Sequence, residues 1–470
     1  MLFTVEEACR ILDGRLIPPG AGSPAEASGM GQREILAVTH DSRRVNPGTL
    51  FVAIPGAATD GHLFLEDAFA RGAVAALVSR EPQRPAGGPC LLVPDTVLAL
   101  GKLALSHRLR FSPVVIGITG SLGKTSTKDM AASVLGTRYR VLKNEGNLNT
   151  EVGVPLTLFG LDATHEVALI EMAMRGRGQI AYLAGLARPR MGVVTNVSES
   201  HLELLGSIEE VARAKAELVA ALPPDGTAIL NGDDPRVRRM GERFPGRVVY
   251  FGLGAGCEVR ASGVRSLGDR GSRFLLHLGE EVGEVFLPVP GRHQVPNALA
   301  AAAVGWALGL SLVEIVRGLE NPALSGMRME VVRLGGVTVL NDAYNASPTS
   351  TSAALETLMD IPGRRHLAVL GDMLELGPRA IPGHREVGRL VARLGLDYLL
   401  TVGTLSRHLV EAAREEGMPG ERITSVDSAR EAAELVNGLL GEGDVVLVKG
   451  SRGMKLEQVV AALRQRWGQA

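Results

Sequence analysis

Three things are missing from this 470-residue chain, and each absence excludes a class of protein. Cysteine is almost missing: Cys9, Cys90 and Cys257 stand far apart with no CxxC pair, which excludes a disulfide framework or a cysteine-based zinc site as organising elements. Long apolar runs are missing: nothing approaches the roughly 18 consecutive apolar residues that a membrane-spanning helix needs. A surplus of charge is missing as well. Lysine and arginine together number 50 against 51 acidic residues, a net charge of −1, whereas a dedicated binder of nucleic acid or of an anionic membrane surface needs a basic excess. The opening Met1-Leu-Phe-Thr-Val-Glu-Glu lacks the basic region and apolar stretch of a secretory signal, so a cytoplasmic protein is expected. What is present is 45% apolar and 21% charged residues, the composition of a soluble globular protein. The length corresponds to about three domains of roughly 150 residues each.

The most informative stretch is Val114-Val-Ile-Gly-Ile-Thr-Gly-Ser-Leu-Gly-Lys124-Thr125-Ser126. Its apolar start predicts a buried parallel strand. It turns through Gly120, Ser121 and Gly123 and continues from Lys124 in a pattern that can carry a helix. Such a turn aims backbone N–H groups into one small space at the positive end of a helix, where a phosphate fits. Lys124 would reach the terminal phosphates, and the Thr125 hydroxyl would sit on a magnesium ion. The general P-loop pattern wants glycine where Ile118 stands. The shorter form Thr-Gly-Ser-x-Gly-Lys-Thr is used by a narrower group of ATP-dependent ligases. The plainer alternative is an ordinary strand–turn–helix with a solvated lysine.

Residues 1–112 read as a first α/β domain, interrupted at 18–31 by a Gly-, Pro- and Ala-rich surface loop. Asp41-Ser42-Arg43 fits a simple polar turn as well as a binding loop. Across 113–327 strands alternate with helices, which implies a mostly parallel sheet. Strands are predicted at 114–119, 167–171, 191–197 and 227–230. A short antiparallel insertion is predicted within 257–290, and an alanine-rich helix at 296–308, with Trp306 in the core. Residues 328–470 read as a Rossmann-like unit with strands at 337–341, 366–371, 398–402 and 445–449. No GxGxxG fingerprint follows its first strand, so dinucleotide binding is not expected. The fold class is therefore α/β in three domains: a small N-terminal domain, a central P-loop ATPase domain with a mostly parallel sheet, and a C-terminal Rossmann-like domain.

In parallel sheets ligands gather at the carboxyl ends of the strands, and the P-loop, Glu171 and the segment 196–201 all fall there. A carboxylate at Glu171 suits a hard cation such as magnesium, or is a solvated strand-end glutamate. His201 is a metal ligand or an ordinary structural histidine. Ser207-Ile-Glu-Glu210 is a capping box that opens a helix, on which Val211, Lys215, Leu218, Val219 and Leu222 share one face. Burial there would lower the amine's pKa, and a neutral amine can form a carbamate with CO2. A lysine snorkelling along its apolar stem stands beside that reading. Asn231-Gly-Asp-Asp234 and Gly291-Arg-His293-Gln-Val-Pro-Asn297 line a nucleobase pocket, or are a turn and a helix cap. Asp342-Ala-Tyr344-Asn345, Gly371-Asp372-Met-Leu-Glu and Lys449-Gly-Ser451-Arg452 follow three strands and suggest one shared cleft. Lys449 and Arg452 together would attract a carboxylate, or are a pair of exposed cations.

Taken together, these residues resemble the Mur ligase family over essentially the whole chain. The resemblance rests on Gly117-Ile-Thr-Gly-Ser-Leu-Gly-Lys-Thr125, Asn144-Glu-Gly-Asn147-Leu-Asn149, Glu171-Met, His201-Leu-Glu, Ala214-Lys215 and Gly291-Arg-His-Gln-Val-Pro-Asn297. The three C-terminal loops are similar to those of the branch that adds D-Ala-D-Ala, and the Asp-Asn-Pro-Arg motif of the branch that adds diaminopimelate or lysine is absent. The resemblance implies an ATP-dependent amide ligase working through an acyl phosphate. Its partners would be UDP-N-acetylmuramoyl-tripeptide, D-Ala-D-Ala and ATP, with no nucleic acid and no membrane insertion, in a monomer. It implies two Mg2+ ions, one on Thr125 and Glu171, the other on His201 and a carbamylated Lys215. Gly120, Ser121, Gly123, Lys124 and Ser126 would surround the phosphates, with Arg328 beside them. Asn231, His293 and Asn297 would lie by adenine and Asp342 by the ribose. Ser42 and Arg43 would hold the UDP end. Asn147, Asn149, Thr150, Tyr344, Asn345, Asp372, Lys449, Ser451 and Arg452 would complete the substrate sites. The implied domain roles are UDP-muramoyl binding for 1–112, ATP binding for 113–327 and dipeptide binding for 328–470. The chain departs from the family at Met172-Ala-Met-Arg-Gly-Arg177, where Leu-Gly-Ala-Asn-His is usual, and at Gln294, where Asn is usual. The rival readings are another ligase of the superfamily, adding diaminopimelate or lysine or resembling a folylpolyglutamate or cyanophycin enzyme, and a non-catalytic ATP-binding scaffold for the wall precursor.

Overall fold

The computed structural model describes residues 1–19, 29–56, 59–84, 86–199 and 205–468. They form two compact units: Met1–Gly117, Arg140–Ala173 and Ala181–Pro189 in one, and Ile118–Tyr139, Met174–Ile180 and Arg190–Ala470 in the other. Most of the surface loop expected at 18–31 lies outside the described residues, and so does His201. Among the described residues no helix is long and apolar enough to cross a membrane.

In the first unit a five-stranded sheet runs in the order Arg15–Ile17, Cys90–Leu92, Ala73–Val78, Thr49–Val52, Ala37–Thr39. Only its first pair is antiparallel. Thr49–Val52 is buried at all four positions, because helices and loops cover both faces of a parallel strand. One face packs Phe3, Leu50, Leu77, Leu91, Leu100 and Leu103, and the other Phe51, Ala68, Ala76 and Val78. The helix Val5–Leu12 starts at a reciprocal capping box between Thr4 and Glu7, which satisfies two orphan N–H groups. Thr96–Arg108 starts at Asp95, which accepts from the N–H groups of Val97 and Leu98. The same unit holds Val141–Lys143 parallel to Val167–Glu171.

In the second unit the strands Met191–Val194, Thr227–Asn231, Arg247–Gly252 and Val259–Ser266 lie side by side and parallel. Ser272–Leu278 and Glu281–Leu287 extend them antiparallel, as expected for the insertion. The strand predicted at 191–197 stops at Val194. Thr195 and Asn196 leave the ladder to bond the turn at 119–122. The helix Lys124–Leu135 packs on Val295–Ala307 and on Leu312–Leu319. Close approach requires small residues: Ala298, Ala300, Ala301, Ala302 and Ala303 are fully buried, and a Cβ on Gly318 would lie 2.4 Å from the Val134 Cα. Trp306, expected in the core, is half-buried, with the Arg247 guanidinium 5.2 Å from its ring centre.

A second sheet in this unit runs in the order Glu330–Leu334, Val337–Asp342, Val445–Lys449, His366–Gly371, Tyr398–Val402, Ile423–Val426. Its first pair is antiparallel and the rest are parallel. Apolar layers cover both faces, one built on Leu340, Leu355, Leu370 and Val387, the other on Val339, Val369, Val448 and Leu463. Helix-bearing crossovers therefore place the loops after 342, 371 and 449 at one edge, the carboxyl ends of three adjacent strands.

Candidate active site

The strand Val114–Thr119 delivers a turn that only glycine can make. Gly120 has φ 152° and Gly123 has φ 79°. A Cβ on Gly120 would lie 1.8 Å from the Thr195 Oγ1, and one on Gly123 would lie 2.1 Å from the Asn297 Oδ1. The helix Lys124–Leu135 begins directly at Gly123 without a side-chain cap, so its first-turn N–H groups face the concave side of the turn. Lys124 folds back over that space, its Nζ donating to the carbonyls of Gly120 at 2.8 Å and Ser121 at 3.1 Å. Thr125 and Ser126 are buried at the helix start. One expectation needs correction. The N–H groups of Ser121 and Leu122 do not point into the anion space: they donate to the Asn196 carbonyl and to its Oδ1, both at 2.9 Å. The Asn196 Nδ2 donates back to the Leu122 carbonyl at 3.0 Å, and Ser198 N–H donates to the Ser121 Oγ at 2.9 Å. Of the turn residues expected to face a phosphate, Gly123 and the helix start stay as candidates.

Behind this clamp lies the turn that ends Thr227–Asn231. Asn231 donates from Nδ2 to the Thr195 carbonyl at 2.8 Å, and Asp234 accepts from Val197 N–H at 2.8 Å. Asp234 also caps the helix Pro235–Gly241. Asn231 therefore has a positioning contact that the sequence did not announce. The helix Ile208–Ala220 starts at Ser207, which accepts from Glu210 N–H. On its inner face Lys215 is 2% exposed, so it does not snorkel. Burial pushes its amine well below the ordinary lysine range, and the positive charge of Lys124 adds to the effect.

The nucleobase candidates sit against the loop helix. Asn297 accepts at Oδ1 from the Thr127 hydroxyl at 3.4 Å and donates to the Gln294 Oε1 at 2.9 Å. Gln294 reaches the His293 Nε2 at 3.2 Å. Burial lowers the His293 pKa, with Asp342 and Lys449 close enough to act on it in opposite directions. Lys449, only 3% exposed at its side chain, lies 2.5 Å from the Asp342 Oδ2 and donates to the Asn345 carbonyl at 2.8 Å. Arg328 lies over the Tyr344 ring at 4.0 Å. Three expectations about the C-terminal loops are corrected here. Lys449 and Arg452 do not form a joint anion clamp, because Lys449 is paired to Asp342 and Arg452 to Glu457 at 3.1 Å. Asp372 is turned to structure: it accepts from the N–H groups of Thr404 and Ser406 at 3.2 and 2.7 Å. Ser451 is buried, and its Oγ accepts from Leu374 N–H at 2.9 Å.

The first unit holds the remaining candidates. Glu171 closes its strand fully buried, its Oε1 accepting from the Asn149 Nδ2 at 2.8 Å, and Asn144 accepts from Glu171 N–H at 2.6 Å. Asn147 and Thr150 are exposed on the same loop. Ser42 opens the short 3-10 helix Ser42–Arg44, capped by Asp41. Arg43 forks onto Asp41 at 2.8 and 2.7 Å and holds that carboxyl down to about 2. The polar turn expected there is this capped helix. Sequence reasoning missed Asn196 and Asp234 as anchors of the phosphate loop. An asparagine just past a buried strand is their only signal.

Comparison with known proteins agrees with this geometry. The chain matches the Mur ligase family catalytic domain at residues 34–108, the Mur ligase middle domain at 118–305 and the Mur ligase glutamate ligase domain at 327–452. It is 37% identical over 435 residues to a UDP-N-acetylmuramoyl-tripeptide–D-alanyl-D-alanine ligase of Bacillus subtilis, covering 92% of this chain and 94% of that one. It is 38% identical over 434 residues to the enzyme of the same name from Escherichia coli, covering 91% and 94%. Among solved structures, a MurF crystal structure from Acinetobacter baumannii superposes with a TM-score of 0.87 at 30% identity, over 98% of this chain and 99% of that one. The Thermotoga maritima MurF ligase in complex with ADP gives 0.80 at 28% identity, over 93% and 98%. By these matches over nearly the whole chain, it belongs to the Mur ligase family.

Proposed function

We propose that the chain joins D-Ala-D-Ala to UDP-N-acetylmuramoyl-tripeptide at the expense of ATP, giving the pentapeptide precursor of peptidoglycan. The observation that carries the reading is the glycine turn at 120–123, clamped by Asn196 and opening a helix at Lys124, whose charge acts on the buried Lys215. The names of the full-length relatives supply the substrates. We assign 1–112 to the UDP-muramoyl substrate, 113–327 to ATP and 328–470 to the dipeptide, in a cytoplasmic enzyme.

In this reading the helix start at Gly123–Thr125 and the Lys124 amine hold the γ-phosphate against repulsion from the incoming carboxylate. A carboxylate oxygen of the tripeptide attacks that phosphorus and ADP leaves, so the acid becomes an acyl phosphate. The dipeptide amine then attacks the carbonyl carbon, loses a proton, and inorganic phosphate departs with the oxygen that made the attack. Arg328, His293, Asn297, Asn231 and Asp342 orient the nucleotide. Ser42, Arg43, Asn147, Asn149 and Thr150 orient the acceptor, and Tyr344 and Asn345 shape the dipeptide end, on loops that Asp372, Lys449 and Ser451 hold in place. The donor chemistry fits magnesium: the Thr125 hydroxyl and the Glu171 carboxylate are hard oxygen ligands, both withdrawn from solvent. Magnesium held by either would neutralise phosphate charge.

Lys215 fits the carbamate that the family resemblance implies. Burial favours its neutral form, the form that reacts with CO2, and the product would be a carboxylate suited, with His201, to a second cation. Incubation with UDP-N-acetylmuramoyl-tripeptide, D-Ala-D-Ala and ATP should give an amide product of the summed mass less water, equimolar with ADP. Lys215→Ala should abolish it and recover part of it with small carboxylate anions. Full activity of Lys215→Ala without added anion would remove the carbamate, and ATP turnover without amide product would remove the ligase.

A further inference from the structure

On the helix Lys124–Leu135, Thr125, Asp129 and Ser133 recur every four residues and so share one face. Thr125 stands at the nucleotide end. The other two grip a different segment. The Asp129 Oδ2 accepts from both the backbone N–H and the hydroxyl of Ser325, at 2.9 and 2.7 Å. The Ser133 Oγ accepts from Ala323 N–H at 2.9 Å. Asp129 is 1% exposed, so these bonds are made in a low-dielectric setting, where a charged acceptor counts for more than at the surface.

Ser325 begins the linker that carries Arg328. Two non-glycine residues flank Arg328 in the left-handed region, Met327 at φ 60° and Met329 at φ 53°. Such conformations are strained and persist only where surrounding bonds dictate them. Those bonds are present. Met327 N–H donates to the Glu330 Oε2 at 3.2 Å and Met329 N–H to the Asp342 Oδ1 at 3.1 Å. Tyr344 N–H donates to the Met327 carbonyl at 3.3 Å. Arg328 is thus held from behind by the helix that bears the phosphate loop and from in front by the carboxylate that also binds Lys449.

We propose that Asp129 is a positioning residue: through Ser325 it fixes the linker so that the Arg328 guanidinium is set relative to the phosphates held at the other end of the same helix. The inference rests on the ligase reading above, with Arg328 acting on the nucleotide. In this assignment Asp129 acts through Arg328.

The test is a double-mutant cycle on the full chain, reading kcat, KM for ATP, and ATP affinity by direct binding. Asp129→Asn should lower kcat by about tenfold, with ATP affinity changed by less than about threefold. Arg328→Ala should lower kcat by at least as much. In the Arg328→Ala background, Asp129→Asn should cost less than about twofold more, because the residue it positions is gone. Ser325→Ala carries the same prediction and keeps the test open should Asp129→Asn fold poorly. If the losses multiply instead of merging, Asp129 is a stabilising residue only and the inference falls while the ligase reading stands. If the unmutated chain forms no amide product, both fall.

Discussion

Gly123 is the residue on which the proposed nucleotide site turns. Its φ of 79° and the 2.1 Å that would separate a Cβ from the Asn297 Oδ1 leave no room for a side chain. Gly123→Ala should therefore let the free chain relax out of this turn, so that binding ATP must restore about 1–2 kcal/mol of backbone strain, roughly a tenfold loss in ATP affinity. Nucleotide titration of the folded variant measures it, and unchanged affinity would mean the turn does not cradle phosphate. Gly123, Lys124 and Thr125 were legible in the sequence because the turn and the helix start are local and demand those residue types. Asn196 and Asp129 were not, because their roles depend on partners 74 and 196 positions away. The same reason misled the reading of Lys449 and Arg452. Each cation was visible, but the carboxylates that engage them, Asp342 and Glu457, are fixed by the fold.

Among the elements, the crossing of Leu312–Leu319 over Lys124–Leu135 has the least slack. A Cβ on Gly318 would sit 2.4 Å from the Val134 Cα and 2.8 Å from its nitrogen, both backbone atoms that no rotamer change relieves. Gly318→Ala should lower stability by about 1–3 kcal/mol through overpacking, read as a shift in the urea midpoint, whereas a neutral outcome would mean the helices are farther apart than described. The C-terminal sheet contains a second sensitive point in Asp444. Burial pushes its carboxyl up, but bonds from Arg365, Gly441 N–H and Arg364 outweigh it and hold the pKa below its usual value. A carboxyl depressed in the folded state contributes stability above its unfolded pKa and loses it as pH falls through the folded one. The stability gap between the parent and Asp444→Asn should thus be full near pH ~7 and shrink below pH ~4. A gap independent of pH would contradict the pairing. The long strands of both units were legible from buried apolar runs. Val259–Ser266 was missed because charged residues and Gly263 interrupt its pattern, and 191–197 was read too long because its residue types continue past the ladder.

For the molecule as a whole, low cysteine, balanced charge and the absence of long apolar runs argued against a disulfide framework, a nucleic-acid binder and a membrane-spanning helix before any motif was read. Family matches in three successive stretches, and relatives covering more than nine-tenths of the chain, then fix the family. What composition could not convey is the order of events, and that order is the central claim: an acid must first accept the γ-phosphoryl group and then yield to an amine. Oxygen labelling follows it directly. With 18O in the terminal carboxylate of UDP-N-acetylmuramoyl-tripeptide, mass spectrometry of a reaction containing ATP, magnesium and D-Ala-D-Ala should find one labelled oxygen in each phosphate released, matched to each amide formed. Amide formed with unlabelled phosphate, or with AMP in place of ADP, would contradict the account.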